Sequence, residues 1–207
     1  MSGFGTRRDS RSRRLLLLTG LAVLAGCERP GAGAKPQFLA VDVTGADFGR
    51  SLSLPDPSGR VWTLDDLKGK VTVLFFGYTQ CPDVCPTTMA ELAAVKKLLG
   101  KNGDRVQGVF ITIDPERDTP EVLKNYVSSF DPNFIALRGT PEQTAAAAKE
   151  FKVFYAKVAG KSPGSYTMDH TAASYVLDAD AKLRLFVRYG SGAAPLAADL
   201  KTLLKVA

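Results

Sequence analysis

The run "KVTVLFFGYT", residues 70 to 79, is continuously apolar and β-branched. That pattern predicts a central strand covered on both faces. "RVQGVFITID", 105 to 114, repeats it. Ahead of both, "SLSLPDPSGRVWTLDDLKGK" alternates in short pieces around a Pro-Ser-Gly turn, which predicts a small hairpin preceding the main sheet. Leu92, Val95, Leu98 and Leu99 recur at helical spacing. A helix capped by Thr87 or Thr88 should therefore run to about Leu99, with Gly100 and Gly103 ending it. Thr88 with Glu91 matches a capping box. "TPEVLKNYVSSF" predicts a helix with Thr119 as cap and Pro120 in the first turn, and "TPEQTAAAAKEF" predicts another with the same opening. "FIALRG" and "KVFYAKVAG" read as strands, and "ASYVLDADAKLRLFVRYG" as a hairpin turning at "DADAK". "APLAADLKTLLKV" closes the chain as an amphipathic helix.

Strands alternating with helices, then a hairpin and a last helix, argue for an α/β sandwich. A buried strand that feeds a cysteine pair at a helix start is the thioredoxin-like arrangement. The expected class is therefore α/β, thioredoxin-like, with an N-terminal hairpin extension, over residues 40 to 207. At 45% hydrophobic and 9% aromatic residues, the chain has the makings of a packed core.

The first 26 residues follow a different pattern. Arg7, Arg8, Arg11, Arg13 and Arg14 stand against Asp9 alone, so this segment supplies +4 of the net charge of +6. The body has no basic run that would argue for nucleic acid. "LLLLTGLAVLAG" is too short to span a bilayer and reads as the apolar part of a signal peptide. It ends in "LAGC", which resembles the lipobox of bacterial lipoproteins, with Cys27 the residue to be lipidated. An ordinary signal peptide or an uncleaved anchor are the alternatives. Residues 27 to 39, rich in Gly, Pro and Ala, read as a flexible tether. These segments imply an exported protein, held by acyl chains to a bacterial membrane and facing the periplasm or cell exterior.

The chain has three cysteines. With Cys27 assigned to lipid, Cys81 and Cys85 remain, in "GYTQCPDVCPTTMAEL". A disulfide four residues apart closes a very small loop, so it would add little as a staple. Thiol redox chemistry is the second reading. A cysteine at a helix N-terminus has its thiolate stabilised by free N–H groups and the helix dipole. However, redox motifs of the thioredoxin kind separate their cysteines by two residues, not by three. Asp83 between them should oppose thiolate formation. No proline stands between Gly164 and Val187, where thioredoxin-like oxidoreductases place a cis-proline facing the active site. A metal site is the third reading. Residues four apart on a helical turn face the same way, and Pro82 and Pro86 restrict the loop. His170, the only histidine, follows the Gly/Ser/Pro-rich "GKSPGSY". A mobile loop could bring it to the thiols, and two thiolates with one imidazole form a soft set suited to copper. A peroxidase would want an arginine beside its cysteine, yet none lies between Arg60 and Arg105.

"GYTQCPDVCPTTMAEL", "TIDPERDTPEVLKNY" and "DHTA" together resemble the three signatures of the Sco/SenC family. The resemblance spans roughly residues 40 to 205 and keeps the order of the motifs. It implies a membrane-tethered, thioredoxin-like copper protein that helps assemble the copper centre of cytochrome c oxidase. In that reading Cys81, Cys85 and His170 bind copper destined for the CuA site of subunit II. Some family members also reduce the cysteines of that subunit, with both cysteines then catalytic, and another periplasmic protein could be the copper donor. The family's D-x-x-x-D element falls on Asp114 and Asp118 and is associated with partner contact or metal handling. The simpler reading of those two acids is a turn before Pro115 and a cap for the next helix, by Asp118 or Thr119. Hard carboxylates are poor ligands for Cu(I), so neither acid is expected on the metal. Tyr78 is expected mainly in the core.

Overall fold

The computed structural model describes Gly3 and residues 36–206. The leader apart from Gly3, Cys27 and the tether up to residue 35 lie outside the described residues. In chain order the elements are β1 (Val41–Asp42), β2 (Ser53–Pro55), β3 (Val61–Thr63), β4 (Val71–Gly77) and α1 (Val84–Leu99). Then come β5 (Val106–Thr112), α2 (Pro120–Ser128), β6 (Ile135–Leu137), α3 (Pro141–Glu150) and β7 (Tyr155–Ala159). β8 (Tyr166–His170), β9 (Ala173–Leu177), β10 (Leu183–Arg188) and α4 (Ala193–Val206) complete the fold.

Both apolar runs become central strands, and every residue of β4 and β5 is buried. The main sheet has the order β1-β10-β9-β4-β5-β6. β4, β5 and β6 run parallel through the α1 and α2 crossovers, while β9 and β10 are antiparallel. Side-chain alternation divides β4 between two layers. Phe75 meets Phe110, which meets Tyr126 of α2. Its neighbour Phe76 instead meets Phe151, at the end of α3, and Tyr175 of β9. The β2–β3 hairpin is present as expected, and α4 packs on α1.

Local chemistry explains the helix starts. Thr119 accepts from the Val122 amide at 3.3 Å, and Thr140 forms a reciprocal box with Gln143. These match the Thr-Pro-Glu openings. The start of α1 differs from expectation. It begins at Val84 rather than at Thr87 or Thr88, with Pro86 inside its first turn. First-turn amides have no intrahelical acceptor, so Pro86 removes no bond there. Thr88 caps nothing; its hydroxyl donates to the Val84 carbonyl at 2.8 Å. Cys85 thus lies in the first turn and not in a preceding loop.

The second difference is β8. "YTMDH" pairs antiparallel with β7, placing His170 opposite Tyr155. The ligand expected on a mobile loop stands instead at the end of a strand. The Gly/Ser/Pro-rich residues form the turn, closed by the Gly160 amide on the Ser165 carbonyl at 2.8 Å. No helix among the described residues is long and apolar enough to cross a membrane.

Candidate metal centre

Three elements converge on one point. β4 ends at Gly77, the chain turns through Cys81 into α1, and β8 brings His170, its last residue, to the same point. Sγ of Cys81, Sγ of Cys85 and a ring nitrogen of His170 all lie within 4.8 Å of one another. Cys85 Sγ is 3.6 Å from His170 Nε2, and the Cys85 amide points at Cys81 Sγ at 3.4 Å. An ion bound at roughly 2.0–2.3 Å from each donor needs donors of about this spacing. Gly77 makes the room. A Cβ there would sit 2.8 Å from Cys85 Sγ, 2.8 Å from the Phe75 ring and 3.1 Å from that of Phe110.

The histidine is oriented for this task. Its Nδ1 lies 3.0 Å from the Thr171 carbonyl oxygen. A carbonyl only accepts, so Nδ1 carries the proton and Nε2 keeps its lone pair toward the sulfurs. Burial holds the imidazole below its ordinary pKa, favouring the neutral form that a metal requires. Phe75 and Tyr78 meet the ring edge-on, with centroids at 5.9 and 6.1 Å. Tyr78 is therefore both core and wall of the site.

The two sulfurs are unequal. Cys85 is completely buried and Cys81 half-buried. Burial pushes the Cys85 thiol far up, with Cys81 and the buried Asp118 adding to the shift. The helix-terminus effect expected to lower it is overridden, because a free N–H cannot replace lost water. Asp83 is exposed and accepts from the Thr87 hydroxyl at 3.3 Å; it is not the acid that bears on Cys85. In the reduced, metal-free protein, iodoacetamide should modify Cys81 first. Cys85 should react roughly tenfold or more slowly, as an inert buried thiol does. Peptide mass mapping reads the order, and equal rates would contradict it.

Asp114 and Asp118 are both buried. Asp118 does not cap α2; Thr119 does. The Asp118 carboxylate reaches back to the cysteine loop, accepting from the Thr79 amide at 3.1 Å and the Thr79 hydroxyl at 2.6 Å. It also accepts from the Thr112 hydroxyl at 2.6 Å, tying that loop to the end of β5. Asp114 pairs with Arg117 and accepts from the Tyr166 hydroxyl at 2.8 Å. Neither carboxylate belongs to the three-donor cluster. Thr79 and Tyr166 escape a sequence reading because their partners lie 39 and 52 residues away, and Arg117 because its grip on Tyr166 spans 49 residues; Thr112 bonds Asp118 only six residues on, at a spacing that marks no motif. Arg117 does come near the cysteine loop, but it is committed to Asp114, Tyr166 and Gln80.

The profile of the SCO1/SenC family matches residues 41–205, nearly the whole described body. The chain belongs to the SCO1/SenC family. A SCO2-like protein of Rickettsia felis is 40% identical over 156 residues, covering 75% of this chain and 74% of that protein. Among solved structures, copper-bound ScoI of Bradyrhizobium japonicum is 45% identical with a TM-score of 0.68, covering 74% of this chain and 98% of that one. Copper-bound yeast Sco1 is 30% identical with a TM-score of 0.70, covering 77% and 90% respectively. The thioredoxin-like α/β fold is thus shared with proteins solved with copper in place. Two thiolates and one imidazole are the donor softness that copper prefers, whereas a structural zinc site ordinarily has a fourth ligand.

Proposed function

We propose that this Sco/SenC protein binds copper through Cys81, Cys85 and His170 and delivers it to, or prepares, the CuA site of cytochrome c oxidase subunit II. The convergence of the three donors, with Nε2 left bare by the Thr171 carbonyl, carries the reading. Copper here is cargo. The protein's part is to hold two soft donors ready while Cys81 stays open to a partner. A receiving ligand can approach at half-buried Cys81, whereas the buried Cys85 holds the ion from inside. Binding must displace the Cys85 proton, so affinity should rise with pH through neutrality.

In this reading residues 1–26 direct export, Cys27 carries the lipid, and residues 27–39 give reach from a bacterial membrane to the copper domain at 40–207. Asp114 and Asp118 serve by holding the loop and the hairpin, not by ligation. Replacing His170 with alanine is expected to lower Cu(II) affinity at least about 100-fold in anaerobic titrations followed by absorption. Undiminished affinity would remove His170 from the ligand set. For the delivery step, a deletion strain should lose oxidase activity in a copper-dependent way and regain it on copper addition.

A second reading has one observation in its favour. The partly exposed Cys81 sulfur, next to a buried Cys85, suits a thiol that attacks a partner disulfide and is then released by its neighbour. Two partner cysteines would leave reduced and Cys81–Cys85 oxidised. That activity needs no imidazole, so the His170→Ala protein would keep its reduction rate on an oxidised CuA-domain peptide.

A further inference from the structure

The hairpin that carries His170 is not part of the main sheet. Among the described residues β7 and β8 pair only with each other. Their ladder fixes His170 relative to Tyr155, not relative to the cysteines on the β4–α1 turn. The backbone rejoins the main sheet just past His170, where Ser174 of β9 pairs with Phe75 of β4, and side chains brace the rest of the hairpin. Tyr166, Met168 and His170 share the inward face of β8, while Thr167 and Asp169 are exposed. Phe75 and Tyr78 pack on the imidazole, but edge contacts between rings give little directional hold.

Directional bonds concentrate at Tyr166, four residues before the histidine. Arg117 Nη1 donates to the Tyr166 carbonyl at 2.9 Å and to Gln80 Oε1 at 3.2 Å. Its guanidinium stacks on the Tyr166 ring, 3.6 Å from the centroid. Its Nε pairs with Asp114, whose other oxygen takes the Tyr166 hydroxyl. Gln80 immediately precedes Cys81. One rigid, planar cation therefore grips the hairpin and the cysteine loop together. Its Nη2 is buried with no hydrogen-bond partner among the described residues, so the ring stack must offset part of its desolvation. A second charged tie of the hairpin, Lys157 with Glu116, goes to the β5–α2 connection and not to the cysteine loop, and it is exposed and worth little.

We propose that Arg117 is a positioning residue. It latches the His170 hairpin to the Cys81 loop, and so sets how firmly the third ligand is supplied. Cu(I) is served by two thiolates, whereas Cu(II) depends more on the imidazole. The latch therefore tunes the preference between the two oxidation states. The inference rests on the copper reading above and specifies which contact of that site governs it.

The test uses the full chain with Arg117→Ala, Arg117→Lys and Tyr166→Phe, the last keeping the stack but losing the bond to Asp114. Cu(I) and Cu(II) dissociation constants come from chelator competition. Hydrogen exchange on the metal-free protein reads the hairpin without copper. Arg117→Ala should weaken Cu(II) about 10–100-fold, the usual cost of losing support behind a ligand, with Cu(I) changed less than about threefold. Exchange should quicken at β8 and stay unchanged at β4. Arg117→Lys should resemble the alanine variant, since an ammonium cannot make the fork or the stack. Tyr166→Phe should fall between. Equal losses for both ions, or rescue by lysine, would reduce Arg117 to a general structural role; no loss would overturn the latch. If Cu(II) affinity in the parent protein survives His170→Ala, the copper reading itself fails, and the exchange data judge the latch alone.

Discussion

Cys85→Ser is expected to end stoichiometric copper binding while leaving a folded protein. Cys85 is the completely buried donor, enclosed beside Gly77 and Phe75, and Cys81 is the one other free thiol among the described residues. Serine places a hard, neutral oxygen where a soft thiolate is needed, and the remaining pair of donors makes a poor chelate. The fold should lose only about 1–3 kcal/mol, the cost of burying a hydroxyl that the thiol did not require. Equilibrium dialysis against copper, paired with denaturant unfolding, separates the two effects. A variant that still holds one copper per chain at parental affinity would sink the assignment of Cys85.

The other large effect is on stability, at Asp118. Its carboxylate accepts from the Thr79 amide, the Thr79 hydroxyl and the Thr112 hydroxyl in a fully buried setting. Asp118→Ala leaves those donors without a partner at about 1–3 kcal/mol for each orphan. Because hydroxyls can turn to other acceptors, the net loss should be about 3–5 kcal/mol by urea denaturation, with weaker copper binding as the cysteine loop comes free. Asp118→Asn keeps an acceptor oxygen and should cost less. It also isolates a pH effect. Burial raises the Asp118 pKa above the unfolded value. Within that window the native state holds a proton that the unfolded chain has released, so stability falls as pH rises through it. The asparagine protein should lack this component. An Asp118→Ala protein as stable as the parent would show that the buried network contributes nothing.

The sheet was legible because its strands announce themselves. β4 and β5 are covered on both faces, and only an unbroken apolar run can meet that condition. The Thr-Pro openings of α2 and α3 were legible because cap chemistry is local. The cysteine pair and its histidine were visible as residue types, though not as a geometry. The start of α1 lies earlier than the Thr87 or Thr88 cap suggests, because Pro86 is tolerated in the first turn and lets the helix begin at Val84. β8 was hidden for a related reason. Five alternating residues after a Gly/Ser/Pro-rich turn carry too weak a period to outweigh the turn. The roles of Asp114 and Asp118 could not be seen at all. Tyr166 lies 52 residues beyond Asp114, and Thr79 lies 39 residues before Asp118. Local spacing suggests a cap, and only the folded chain shows a cross-brace.

The separate β7–β8 hairpin gives this centre an arithmetic of odd and even. Side chains on a strand alternate faces, so a slip of one residue in β8 against β7 would turn His170 to the solvent along with Tyr166 and Met168. A slip of two would restore the facing but move the imidazole by about 7 Å, beyond reach of the sulfurs. The turn at 160–165 can therefore vary in composition far more freely than in length. The cysteines would not register the change, since their loop hangs from a different sheet. The length of one short turn thus decides whether the protein has three donors or two.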